Sequence, residues 1–255
     1  ETGSDDRTYA SWNWKAGGSA SSNSDGSITS SVSANTDAGF SIVTYSGNGS
    51  NATVGHGLGV APSMYICKRR DATNNWSTFH KDINNTHALL LDTTDGKLDS
   101  VLFWNDTSPT STVFSISTGN SVNNASGTYV AYCFAEVDGY SKVGSYTGNG
   151  ADDGPYVFTG FRPAWVLIKR SDSADNWMLM DNKRTDSGGG NVIDKHLRPD
   201  SSDAENDPGG SPPVELDFLS NGFKHTENNG QVNASGGTYI YLAFAETPFK
   251  FANAR

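Results

Sequence analysis

Cysteine, charge and long apolar runs are all scarce in this 255-residue chain, and each scarcity excludes something. Two cysteines cannot build a disulfide framework. Cys67 and Cys133 fall in apolar, strand-like runs, and their counterparts later in the chain are Ile168 and Ala243. Each is therefore expected to be a buried hydrophobe, with a bond between the two left open by the sequence. Charged residues make up only 18%, and 18 Lys and Arg against 28 Asp and Glu leave a net charge of −10. A chain of that sign has no general means of neutralising phosphates, so nucleic acid is not an expected partner. No stretch approaches the ~18 apolar residues of a membrane span, so no membrane insertion is expected. The opening Glu1-Thr2-Gly3-Ser4 lacks a basic-plus-apolar leader and reads as a processed or trimmed end.

Chemical motifs are equally sparse. The five histidines (His56, His80, His87, His196, His225) form no HxH or HExxH spacing, so no zinc site is expected. No GxSxG occurs, and neither cysteine has a histidine close in sequence, so no nucleophile–base pair is expected. Two carboxylates able to cleave a glycan leave no local motif. The acids that recur, Glu136 and Glu246, are expected to cap turns or to pair with Lys or Arg. Acidic loops at Asp152-Asp153 and at Asp203, Glu205 and Asp207 are candidates for a structural Ca2+, though they lack the glycine and terminal glutamate of an EF-hand loop. No other cofactor is expected.

What is present is a repeat. Tyr45, Pro62, Lys68-Arg69 and Trp76 return as Tyr146, Pro163, Lys169-Arg170 and Trp177, an offset of 101 in every case. Each copy closes with a second shared element. Asn124-Ala125-Ser126-Gly127 precedes Tyr129 and Phe134-Ala135-Glu136. Asn233-Ala234-Ser235-Gly236 precedes Tyr239 and Phe244-Ala245-Glu246, now at an offset of 110. A duplicated unit of this size should be recognised before any local structure is assigned. Between these landmarks run many short apolar segments separated by Gly and Asn turns, including 40–45, 63–68, 76–80, 88–91, 101–104, 113–116 and 129–134. No 3.6-residue period is convincing. The fold class predicted is all-β, two tandem jelly-roll-like β-sandwich domains related by internal duplication. Residues 1–38 would be an N-terminal arm or the end of a preceding domain, with Trp12 and Trp14 on a short strand. Residues 39–138 and 139–255 would be the two sandwiches, the second with a long polar insertion at 185–213.

Trp76 and Trp177 occupy the same place in the two copies, each preceded by an amide, Asn75 and Asn176. Two readings stay open for these four residues. The rings are core residues inherited with the fold, or they stack on sugar rings whose hydroxyls the amides bond. Lys68-Arg69 and Lys169-Arg170 are expected to pair with Asp71 and Asp172, or to contact an acidic glycan.

The segment from Phe158 through Pro163-Ala164-Trp165 to Lys169-Arg170 resembles a segment recurrent in virion proteins of marine tailed bacteriophages. So do Asp217-Phe218-Leu219-Ser220-Asn221-Gly222-Phe223-Lys224 and the run from Asn233 to Glu246 with Pro248-Phe249. The first copy departs from that pattern at Gly57-Leu58-Gly59-Val60. The resemblance implies an exposed, non-enzymatic virion component, a tail-fibre or receptor-binding protein meeting a host-surface glycan. Its other partners would be virion proteins and further copies of itself, a trimer by analogy, on the virion surface. A capsid decoration or head-fibre protein, and a glycan depolymerase, are the alternatives. Deleting 185–213 is expected to weaken glycan binding if that insertion carries it.

Overall fold

The structure, a computed structural model, describes residues 8–185, 191–205 and 213–247. It is nearly all β. The first part of the chain supplies strands β1 (Ser21–Asn23), β2 (Ser30–Asn35), β3 (Phe40–Ser46), β4 (Ala52–Gly55), β5 (Met64–Arg69), β6 (Ser77–His80), β7 (His87–Leu90), β8 (Leu98–Asp99), β9 (Val113–Ile116) and β10 (Thr128–Phe134). The second supplies β11 (Ser141–Thr147), β12 (Tyr156–Phe158), β13 (Pro163–Arg170), β14 (Trp177–Asp181), β15 (Val192–Ile193), β16 (His196–Leu197), β17 (Leu216–Leu219), β18 (Gly222–His225) and β19 (Thr238–Ala245). Three single-turn helices interrupt them: α1 (Val101–Trp104), α2 (Asn120–Asn123) and α3 (Gly230–Asn233).

In the first copy an eight-stranded sheet, β1-β2-β3-β10-β5-β6-β7-β8, faces the β4–β9 ribbon. In the second a five-stranded sheet, β11-β19-β13-β14-β16, faces a four-stranded one, β12-β18-β17-β15. Each pair closes on its own core. Tyr45, Tyr65, Phe114 and Tyr129 fill the first; Phe161, Phe218, Phe223 and Tyr239 fill the second. The alternate residues of the two large sheets point the other way, and there they meet each other. Phe40, Met64, Ile66 and Phe134 pack with Trp165, Leu167, Trp177, Leu242 and Phe244 in a third core. Thirteen side chains are buried in it. At about 1.5–3 kcal/mol for each apolar side chain fully buried, that is far more than loosely docked domains share.

Residues 1–38, expected to be an arm or part of another domain, instead contribute β1 and β2 to the first sheet, with Ile28 and Val32 in its core. Trp12 and Trp14 lie on no strand. Trp14 sits edge-on to Phe134 and Trp165 and tilted against Phe244, so it seals the third core against both copies. The segment 101–104, expected as a strand, is a helical turn. Ser100 Oγ accepts from the Leu102 amide and Asn105 closes the turn in the left-handed region. Four apolar residues cannot by themselves distinguish strand from helix, and here the cap decides. Both cysteines are free buried thiols, and burial pushes Cys67 up to about 12.

The motif before the last strand of each copy acts through an amide. Asn233 Oδ1 accepts from the Asn149 amide at 2.9 Å, and its Nδ2 donates to Ala151 O at 2.8 Å. In the first copy the same work falls to Asn123, one residue before the Asn124 that the repeat comparison selects. Its Oδ1 accepts from the Asn48 amide at 2.8 Å and its Nδ2 donates to Ser50 O at 2.6 Å. Gly47 and Gly148 must be glycine because a Cβ at either would stand 2.3 Å from a carbonyl oxygen of the facing loop. Both asparagines are fully buried. Asn123→Ala is expected to cost about 2 kcal/mol, since it empties a fully buried side-chain site and leaves the Asn48 amide and Ser50 carbonyl to water; urea unfolding measures it, and a loss under about 1 kcal/mol would show the loops hold without it.

Candidate functional site

On the face of the first sheet that carries the third core, and beyond that core, strand register sets side chains in a row. Ser22 lies opposite Ser31, Ser31 opposite Thr44, Thr44 opposite Val130, and Val130 opposite Lys68. Lys68 Nζ then stands 5.4 Å from the centre of the Trp76 ring, within cation–π range. Spacing of ~4.8 Å between strands makes the row roughly 24 Å long. A second row, nearer the sheet end, sets Ser46 opposite Thr128, whose carbonyl accepts from the Arg70 amide. Ser22, Ser31, Thr44, Ser46, Thr128 and Arg70 line a groove of about 400 Å3.

Trp76 is half-buried, its ring near-parallel to Tyr132 with centres 6.4 Å apart. Its backbone is fixed by Asp92, whose Oδ1 accepts from the Trp76 amide at 3.0 Å and from Asn75 Nδ2 at 3.4 Å. Asn75 is exposed beside it. Lys68 Nζ also donates to Asn74 O.

In the second copy the Lys–Trp end of the row is closed, while the hydroxyl positions Ser145, Thr147 and Thr238 stay exposed. Trp177 is 1% exposed, and its Nε1 donates to Leu90 O at 2.9 Å. Lys169 Nζ donates to Asp175 O at 2.8 Å and to Thr94 O at 3.1 Å, and burial pulls its pKa down to about 8. The first copy's segment 90–97 lies over both, held also by the Asp175 amide on Thr94 O and the Lys97 amide on Ser171 O. Trp177 therefore cannot stack on a sugar, which corrects the sugar-stacking reading for that ring. Asn176 is half-buried next to it, its amide held by the Asp175 side chain. Of the four candidate residues, only Asn75 and Trp76 border an open surface.

The repeated arginines pair as expected, while Lys68 and Lys169 meet backbone carbonyls instead of Asp71 and Asp172. Arg69 Nε meets Asp71 at 2.9 Å and holds its carboxyl down to about 2, and Arg170 Nε meets Asp172 at 3.0 Å. Glu136 is bracketed by Lys81 and Lys142, and Glu246 by Arg162. The acidic loops are paired too: Asp153 with Lys224, Asp203 with Arg198, Glu205 with Arg184 and Lys195. Asp207 lies outside the described residues. Among the described residues no three His, Cys, Asp or Glu stand together as a metal cluster, and no helix is long and apolar enough to cross a membrane.

The hydroxyl row and Arg70 escape a reading of motifs. Pairing Lys68-Arg69 with Lys169-Arg170 passes over the next position, where Arg70 faces Ser171. That one departure from the repeat is the signal that could have found it.

Fold and site together define a tandem all-β sandwich protein that keeps the Lys–Trp end of one cross-strand row open and that of its duplicate closed. The chain belongs to the family described as a domain of unknown function (DUF7483), whose model matches residues 1–248. Among curated proteins and among solved structures, none matches.

Proposed function

We propose that this chain is a non-enzymatic component exposed on a bacteriophage virion, a tail-fibre or receptor-binding protein that contacts a host-surface glycan along the Ser22–Trp76 row. The observation that carries the reading is the row itself, three hydroxyls, a valine and a lysine in register across five strands, with the Trp76 indole just before a sixth. A pyranose offers C–H faces to an aromatic ring and hydroxyls to polar side chains, so a linear glycan matches the row's order and length. The virion assignment is supported by the sequence resemblance alone. Hydrolysis of a glycosidic bond needs two carboxylates, and the row has none, which favours adhesion over depolymerisation.

Purified chain added to host cells is expected to compete with phage adsorption. Trp76→Ala should weaken that competition about tenfold, the effect of losing roughly 1–2 kcal/mol of ring contact. Undiminished competition by Trp76→Ala would sink the row as the contact surface. Labelling of intact particles locates the chain, and density confined to the head would favour decoration over attachment. Deleting 185–213 is a poor test of binding, because Asp200 in that insertion accepts from the Trp177 amide at 2.9 Å and β16 pairs with β14.

A further inference from the structure

We propose that the Arg70 end of the groove binds the anionic groups of an acidic glycan, a uronate carboxylate or a sugar sulfate; this rests on the glycan reading above. Three cations follow one another at Lys68, Arg69 and Arg70. Only Arg69 is neutralised. Both Asp71 oxygens go to it, at 2.9 and 3.2 Å, and Oδ1 also accepts from the Thr128 amide at 3.1 Å. Lys68 meets a carbonyl and an indole but no carboxylate among the described residues. The exposed Arg70 side chain meets no partner among them at all. In a chain of net charge −10, this leaves a local excess of positive charge beside a polar groove.

The neighbours suit an anion attached to a sugar. Arg70 is joined through its amide to Thr128, which lies opposite Ser46, and both of those residues are exposed. A guanidinium fork and nearby hydroxyl donors match the planar oxygens of a carboxylate or the oxygens of a sulfate. One exposed arginine holds a free ion weakly. A polymer running on along the row adds contacts at Thr44, Ser31 and Lys68, so the charge sets the preference while the row supplies the affinity.

The second copy is an internal control. It keeps the hydroxyl positions as Ser145, Thr147 and Thr238, yet Arg70 is replaced by Ser171, which is buried with its Oγ donating to Thr238 O at 3.1 Å. The third cation is present only in the copy whose Lys–Trp end is open.

The test is binding of the whole chain to polygalacturonate, dextran sulfate, unmodified dextran and inorganic sulfate, by calorimetry between about 20 and 200 mM salt. Polygalacturonate or dextran sulfate should bind, whichever carries the fitting anion, with affinity falling as salt rises. Arg70→Ala should lower that affinity about tenfold to a hundredfold without changing the unfolding midpoint, since the side chain has no partner to lose. Lys224→Ala, on the far sheet, should leave it unaltered. If dextran binds as well as the charged polymers and Arg70→Ala is silent, the anionic assignment is overturned while the glycan reading stands. If no polymer binds, both fall. Inorganic sulfate binding as tightly as dextran sulfate would overturn the polymer assignment.

Discussion

Lowering the pH from 6.5 to about 5 is expected to remove roughly 5 kcal/mol of folding stability, chiefly through three of the four buried histidines. Burial drives the pKa of His225 down to about 3 and those of His80 and His196 to about 4, from an ordinary 6.5. A histidine depressed in the folded state contributes stability fully above pH 6.5. That stability is lost as the pH falls toward the folded value, at about 1.4 kcal/mol per pH unit for each ring. The geometry gives the same sign. His80 Nδ1 accepts from the Asp82 amide at 3.2 Å while Nε2 meets Tyr241 O at 3.3 Å, a pattern only the neutral ring can serve. His225 is packed between Tyr146 and Phe223, and neither of its nitrogens meets a partner among the described residues. Asp200, Glu215 and Asp217, whose carboxyls burial raises, oppose the trend, since each regains stability as the pH falls through its raised value. His225→Phe should therefore raise stability at pH 7 by about 1–2 kcal/mol and flatten the acid slope by about a third. Urea midpoints that stay level between pH 6.5 and 5 would refute the mechanism.

Trp177→Ala should be the most damaging single change at the contact between the copies, costing about 3–5 kcal/mol. It removes one of the two indoles buried in the third core and one of two donors to Leu90 O, leaving only the Thr93 amide at 3.3 Å. Trp76→Ala, at the matching position, leaves a half-open site and should cost about 1 kcal/mol, since little cavity remains. The unfolding transition of both variants should stay single, because each copy supplies half of the third core. Two resolved transitions in Trp177→Ala would mean the copies stand on their own.

The duplication was legible because its landmarks are turns, prolines and buried tyrosines that every copy of the fold must keep. The Tyr45–Tyr129 stack, centres 5.1 Å apart, returns as Tyr146–Tyr239 at 5.0 Å, and the Arg–Asp pairs return with it. The different fates of Trp76 and Trp177 were not legible. What covers Trp177 is the backbone of Leu90 and Thr94 from the other copy, and no local pattern around Asn176 records that distant contact. β1 and β2 were faint for another reason. Residues 27–33 read only as weakly strand-like, because these serine-rich strands at the sheet's end carry few of the apolar residues that mark a strand, and Ser30 and Ser33 fill buried positions by bonding Gly55 O and Gly18 O. The α1 turn depended on Ser100, one hydroxyl in a chain full of them.

The middle core has a bearing on ancestry. Met64 and Trp165, Ile66 and Leu167, Phe134 and Phe244 are equivalent positions, and each pair is spent on the same shared layer. A face that meets its own likeness is how twofold homodimers assemble. The forebear of this polypeptide is thus best pictured as a one-unit protein that existed in twos. Once a gene fusion tethered the partners, their sequences no longer had to match, and Trp177 could be sealed while Trp76 stayed half-buried.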